Sequence, residues 1–513
     1  MFDLQHSHLH RRQFGFAACA LTLALTGCAA VGPNFVKPTP AAPDDWTSWR
    51  SGDASLRIPT EATQVLPAQW WKAFNDATLD ALQRRAFDAS PDLRTTALRF
   101  AQARAQRSTV AAQRGPEVNA SGSAARQRQS EHGASTRMIN VLGAGPNVTE
   151  LLAEPFTLYQ AGFDASWELD LWGRVRRSVE AADADVGQQA ALLDLARRSL
   201  ASDVARNYFE LRTAQRQIRL MREDIVALED RARLLQARVD GGVLDHTDLQ
   251  RQRAELAALK AQLPPLLAQE AASANQIALL LGERPGALQA ELAPRKTNAP
   301  AALPDLALGL PSEVALRRPD IRAAEARLHS ATASIGIAKA NLYPSIRLGA
   351  KFGFESYLSG EFSDWGSRTW SVGPSLNLPI FDHGRRKATV QLRELQQQEA
   401  AVNYQKTVLK AWQEIDDALA AYSAEQQQAQ ELKARSDAAS DAYQLVQARY
   451  DGGITDFTAV LDSQRSYLQA RRDLAANQGR LAARFITVNK ALGNGSDSEH
   501  LPSPSVPSTS TAR

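Results

Sequence analysis

The chain repeats itself in register. Gly162 and Gly173-Arg174 recur as Gly373 and Gly384-Arg385, Asp240-Gly241-Gly242-Val243 as Asp451-Gly452-Gly453-Ile454, and Leu281-Gly282 as Leu492-Gly493. Each pair is 211 apart (373 − 162, 452 − 241, 493 − 282). A constant offset over so long a stretch requires a tandem duplication with almost no insertions, which constrains the fold more than any single motif does. Upstream the offset changes: Pro91-Asp92-Leu93 matches Pro319-Asp320-Ile321 and Pro116 matches Pro344, both 228 apart. The 17 additional residues (228 − 211) lie between Pro116 and Gly162. Length changes are tolerated in surface loops, and Gly133, Gly143, Gly145 and Pro146 mark that stretch as one.

The N-terminus reads as an export signal. Arg11-Arg12 is followed by the apolar run Phe14 to Leu25, then Leu25-Thr26-Gly27-Cys28, the pattern of a lipoprotein cleavage site. Cleavage before Cys28 would leave its thiol to carry lipid, and Ala29-Ala30 lacks the aspartate that retains lipoproteins in the inner membrane. Cys19 is lost with the signal, so the mature chain is expected to have no disulfide. Net charge is +3, from 59 basic and 56 acidic residues, without the basic excess of a nucleic-acid protein. Beyond the signal no run of ~18 apolar residues exists, so a membrane-spanning role would need a β-barrel. His132, His246, His329, His383 and His500 are not at metal-ligand spacing, and no Gly-rich phosphate loop is present. No catalytic site is expected, and no cofactor beyond a lipid on Cys28.

Four segments alternate apolar and polar residues, near 116–128, 156–171, 344–356 and 368–381. Tyr159, Ala161, Phe163, Ala165 and Trp167 alternate with Gln160, Gly162, Asp164, Ser166 and Glu168; Ile346, Leu348, Ala350 and Phe352 alternate with Arg347, Gly349 and Lys351. Such a period suits an antiparallel sheet with one wet face or the wall of a barrel whose polar face, with Asp164, Glu168, Arg347 and Lys351, lines a watery lumen. Four strands cannot close a barrel, which takes about eight; several chains would have to contribute. Between the strands the chain is helical. Arg174 to Val239 contains no proline and one glycine, Gly187, on the order of 100 Å of helix. Val204, Leu211, Ile218, Ile225, Ala232 and Val239, with Met221, Leu228 and Leu235, form a coiled-coil seam. Gly241-Gly242 and Gly452-Gly453 reverse the chain, glycine supplying the positive φ of a tight turn. Pro264-Pro265 is expected to interrupt the first returning helix. Trp70-Trp71, ahead of the first helix, suits either a local core or an anchor against a neighbouring protomer.

With these features in place the sequence resembles the outer-membrane factor (TolC-like) family, in its lipoprotein branch serving RND-type multidrug efflux systems. The resemblance rests on Cys28-Ala-Ala-Val-Gly-Pro-Asn-Phe, Trp70-Trp71-Lys72-Ala73-Phe74, Trp167-Glu168-Leu169-Asp170-Leu171-Trp172-Gly173-Arg174, the run from Arg317 to Glu325, Arg449-Tyr450-Asp451-Gly452-Gly453 and Val460-Leu461-Asp462, in the family's order. It implies a mixed α+β membrane protein: a homotrimer whose three chains build a 12-stranded β-barrel, four strands each, continued by a long α-helical coiled-coil periplasmic tunnel. It further implies a periplasmic adaptor protein docked on Gly241, Gly242, Gly452 and Gly453, an inner-membrane RND-type transporter, and outer-membrane lipid as surroundings. A pore-closing role passes by resemblance to Asp462, with Thr458 one turn before it and Asp456 nearby, and a coil-tethering role to Tyr450. Asp245 and Asp456 also stand where N-caps are needed, and Arg251 occupies the place of Asp462 in the first copy (462 − 211). The expected layout is a signal peptide over 1–27, a lipid-anchored segment over 28–78 and a first repeat over 79–282 with its tip at 240–243. A linker over 283–312, a second repeat over 313–493 with its tip at 451–454, and a disordered tail over 494–513 complete it. A type I secretion duct and a lipid-tethered periplasmic coiled-coil scaffold are the alternative functions.

Overall fold

The alternating segments are strands of one antiparallel sheet. In the computed structural model, which describes residues 30–39, 42–43, 50, 52–57, 69–133, 137, 141, 146–242, 245–295, 303, 306 and 311–494, the order opens with helices α1 (Ala77–Ala89) and α2 (Pro91–Ala112). Strand β1 (Glu117–Gln127), α3 (Pro146–Leu152) and β2 (Phe156–Leu169) follow, then α4 (Arg174–Asp240) and α5 (His246–Leu280). The second half has α6 (Pro311–Arg317), α7 (Pro319–Ala340), β3 (Ser345–Ser356), β4 (Arg368–Asn377), α8 (Arg385–Asp451) and α9 (Phe457–Ala491). The signal expected over 1–27, Cys28 and the 495–513 stretch lie outside the described residues.

Helices at matching places in the two halves have equal lengths: α4 and α8 are 67 residues each, α5 and α9 are 35, α2 and α7 are 22. Their first residues are offset as the motifs are, by 211 (385 − 174, 457 − 246) and 228 (319 − 91). The prolines do not end α5. Pro264 and Pro265 lie inside it, where Lys260 and Ala261, whose carbonyls lose their helical donors, are exposed and open to water.

Two compact units interleave along the chain, and each draws on both sequence halves. One comprises Met1–Val36, Ala103–Val186 and Arg327–Ala401. It holds the sheet, ordered β1-β2-β3-β4 with every neighbouring pair antiparallel. The register puts Gly162 opposite Gly353, where a Cβ on Gly162 would stand 2.6 Å from the Phe352 carbonyl oxygen, so no other residue fits. An extended N-terminal stretch belongs to the same unit. The Val31 amide donates to the Trp172 carbonyl (3.0 Å), Arg177 donates to the Asn34 side chain (2.7 Å), and Phe35 stacks on His329 at 4.2 Å.

The other unit comprises Lys37–Gln102, Gly187–Ala326 and Val402–Arg513. Its main core gathers Trp70, Trp71, Phe74, Leu79, Leu82, Tyr208, Phe209, Ile277 and Phe485. The two tryptophans therefore fill a core within the chain. The predicted seam is buried along α4 from Val204 to Val239, except Ala232, which is half-buried.

Candidate functional site

Two surfaces bring the expected residues together: the faces of the sheet and the reversals at Gly241-Gly242 and Gly452-Gly453.

On the sheet, Asp164 stands opposite Lys351 and Glu168 opposite Arg347. Arg347 reaches Glu168 at 3.5 Å, and Arg174 donates to the same carboxylate at 2.7 Å. The four charges predicted to share a face do so as two cross-strand pairs of opposite sign, the arrangement that stabilises neighbouring strands. The small and polar residues Asn119, Ser121, Ser371 and Ser375 sit on this face by register. The other face is apolar and bare: Trp370, Val372 and Leu376 are 71%, 74% and 66% exposed. A contiguous apolar face of this kind is unfavourable in water and suits lipid contact. Strands of 10 to 14 residues match the length of a tilted transmembrane strand. The sheet is open: β1 pairs with β2 and β4 with β3, and among the described residues neither has a second partner. Among the described residues no helix is long and apolar enough to cross a membrane.

At the reversals α4 turns into α5 and α8 into α9. Gly242 and Gly453 carry φ of 71° and 73°, while Gly241 and Gly452 do not need the left-handed region. The second reversal closes with the Gly453 amide donating to the Tyr450 carbonyl (2.9 Å) and the Ile454 amide to the Arg449 carbonyl (2.8 Å), a Schellman cap. Asp245 and Asp456 are N-caps: Asp245 accepts from the Thr247 amide and Asp456 from the Ala459 amide at 2.9 Å. Leu235, Val239, Leu249, Phe457, Val460 and Leu461 pack beneath the turns, with Tyr443 and Tyr450 against them.

Polar contacts link these four helices. Arg238 donates to the Tyr450 hydroxyl at 3.3 Å, and one heptad earlier Arg231 donates to the Tyr443 hydroxyl at 3.1 Å and to Gln464 at 3.0 Å. Arg251 donates to the Thr458 hydroxyl at 2.8 Å and pairs with Asp248 at 3.6 Å, while Arg465 pairs with Glu255 at 2.7 Å. Asp462 is exposed and makes no hydrogen bond or ion pair with a described residue. Arg251, 211 residues before it, is engaged with Thr458 instead. The Arg231–Tyr443 and Arg238–Tyr450 links were not singled out from sequence. Their signal was available: both partners recur seven residues apart at one separation, 212 (443 − 231, 450 − 238).

Among the described residues no group of three or more His, Cys, Asp or Glu is placed to hold a metal ion. His329 accounts for itself, lying against Phe35 and 3.0 Å from Glu180.

Comparison with known proteins agrees with this geometry. The profile of the family described as outer membrane efflux protein matches residues 82–283 and 310–494. Outer membrane protein OprJ of Pseudomonas aeruginosa is 33% identical over 489 residues, spanning 95% of this chain and 97% of that protein. The pyoverdine export outer membrane protein OpmQ of Pseudomonas putida is 31% identical over 478 residues, spanning 93% and 96%. The solved structure of the outer-membrane channel OprN superimposes with a TM-score of 0.79 at 32% identity, over 91% of this chain and 99% of that one.

Proposed function

From the premise that the chain belongs to the outer membrane efflux protein family, we propose that it is the exit duct of a tripartite pump, passing antibiotics or other toxic small molecules to the exterior. It is an outer-membrane efflux protein, working with a periplasmic adaptor and an inner-membrane transporter. The observation that carries the finer reading is the open, two-faced sheet. Its bare apolar face suits lipid, its face of paired charges suits water, and its two free edges need partners.

Three copies would supply them. Edge β1 of one protomer pairing with edge β4 of the next closes twelve strands into a barrel, with Asp164, Glu168, Arg347 and Lys351 toward the lumen. The matched helix lengths support a tandem duplication, so that α4–α5 and α8–α9 are equivalent hairpins of a periplasmic tunnel. Gly241, Gly242, Gly452 and Gly453 lie at the tips that the adaptor would engage. Lipid on Cys28 is supported by the tethering of Val31 to Trp172, three residues beyond the end of β2. At the tips, Asp462 from three protomers would form a ring that narrows the pore when closed. Thr458, Asp456 and Tyr450 hold the surrounding turn.

The deciding experiment is planar-bilayer conductance of the detergent-extracted protein with its mass measured in parallel. Discrete channels from a species of three chains are expected. A monomer that never conducts would refute the duct and leave a tethered coiled-coil scaffold.

A further inference from the structure

A cavity of 530 Å³ opens among α4, α8, α9 and the turn ahead of α1. Its charge is unbalanced. Arg212, Arg216 and Arg219 line it from α4 at spacings of four and three, on one face of the helix. Arg295 and Lys433 also reach it, but each has its own carboxylate: Arg295 donates to Asp76 at 2.6 Å and Lys433 to Asp437 at 2.8 Å.

Among the described residues the three α4 arginines have no such partner. Arg212 donates to neutral acceptors, the Gln215 side chain (2.8 Å) and the Ala293 carbonyl (2.9 Å), and Arg219 donates to the Arg295 carbonyl (2.9 Å). Arg216 makes no hydrogen bond or ion pair with a described residue. The Nε donors of Arg212 and Arg219 are buried and unbonded. Burial, and then the neighbouring Arg219 charge, pull the pKa of Arg216 below the usual arginine value. Three guanidinium groups in a half-enclosed space, with no carboxylate of a described residue paired to them, are unfavourable unless an anion joins them. Phe74, Phe209, Leu474 and Leu481 give it an apolar stretch of wall, beside polar side chains such as Thr213 and Gln478.

We propose that this cavity binds a small organic anion, a carboxylate or sulfonate on an apolar body. Its acidic group would take Arg212, Arg216 and Arg219, and its body would lie against Phe74 and Phe209. The size suits one such molecule, since small-molecule sites span a few hundred Å³. An occupant would touch α4, α8, α9 and the Phe74–Asp76 turn together, and so would stiffen the coil where it meets that core. The proposal does not depend on the channel reading.

The test is calorimetric titration of the full-length protein in detergent with benzoate, benzyl alcohol and inorganic phosphate. Benzoate is expected to bind saturably. Benzyl alcohol, of the same shape without the charge, and phosphate, with charge and no apolar body, should each bind at least about tenfold more weakly. Arg216→Gln should lower benzoate affinity by about tenfold or more, and Arg216→Lys should recover part of it. Absence of saturable benzoate binding, equal binding of benzyl alcohol or of phosphate, or parental affinity in Arg216→Gln overturns the proposal. If Arg216→Gln loses its native mass in detergent, the comparison of the three probes on the parent protein decides alone.

Discussion

Asp76 carries several interactions on one carboxylate. It caps α1 through the Thr78 and Leu79 amides, accepts from the Tyr208 hydroxyl at 2.7 Å and pairs with Arg295 at 2.6 Å. Burial opposes its ionisation, but hydrogen bonds from Arg295, Tyr208 and the Leu79 amide outweigh it and hold the carboxyl below the usual carboxylate range. The Tyr208 phenol is pushed up to about 12, by burial first and then by Asp76. Asp76→Ala should therefore cost on the order of 2–4 kcal/mol, seen as a lower midpoint in denaturant titration. A depressed folded-state pKa contributes stability that is fully present above the unfolded value, about 4, and lost as pH falls through the folded value. Parent and variant should thus differ most near neutral pH and converge in acid. Asp462 is the opposite kind of residue, exposed and without a hydrogen bond or ion pair to a described residue. Asp462→Ala should raise single-channel conductance of the isolated protein without changing its melting temperature; unaltered conductance would remove it from the gate. Its motif was readable beforehand, whereas the engagement of Arg251 with Thr458 depends on how α5 and α9 meet and has no local signature.

At the level of elements, caps and turns followed from local chemistry. Asp245 and Asp456 begin returning helices because an aspartate there satisfies free amides. Each Gly-Gly pair breaks a long helix, yet the two glycines are not equivalent. Gly453→Ala forces a left-handed φ on alanine and should cost about 1 kcal/mol, while Gly452→Ala should be close to neutral; thermal unfolding of the two variants distinguishes them. The prolines of α5 show where local reasoning overreached. A proline removes a hydrogen bond, but when the freed carbonyl faces water the helix can continue. Strand positions were legible from alternation, and the Gly162–Gly353 contact was not, because it arises only once β2 and β3 are in register.

For the whole molecule, the apolar face of the sheet leads to a prediction about membranes. Val372→Arg places a charge on that face and should cost about 2–4 kcal/mol if the position lies near the bilayer midplane. Membrane extraction and mass analysis should then show less assembled protein, whereas Lys351→Gln on the opposite face should assemble normally. Parental assembly of Val372→Arg would mean that this face does not meet lipid.

Periodicity, proline and glycine placement and the 211-residue offset are properties of the chain as a string. They determined the strands, the long helices, the reversals and the family likeness, because each reflects backbone sterics or which face of an element must be apolar. The tertiary structure decided what depends on residues far apart in the chain: that the sheet draws its strands from both halves, that Trp70 and Trp71 belong to an internal core, that Arg231 and Arg238 reach tyrosines of α8, and that three arginines of α4 share a cavity. Those outcomes follow from packing, in which a side chain's partners are set by the elements brought beside it and not by its neighbours in sequence.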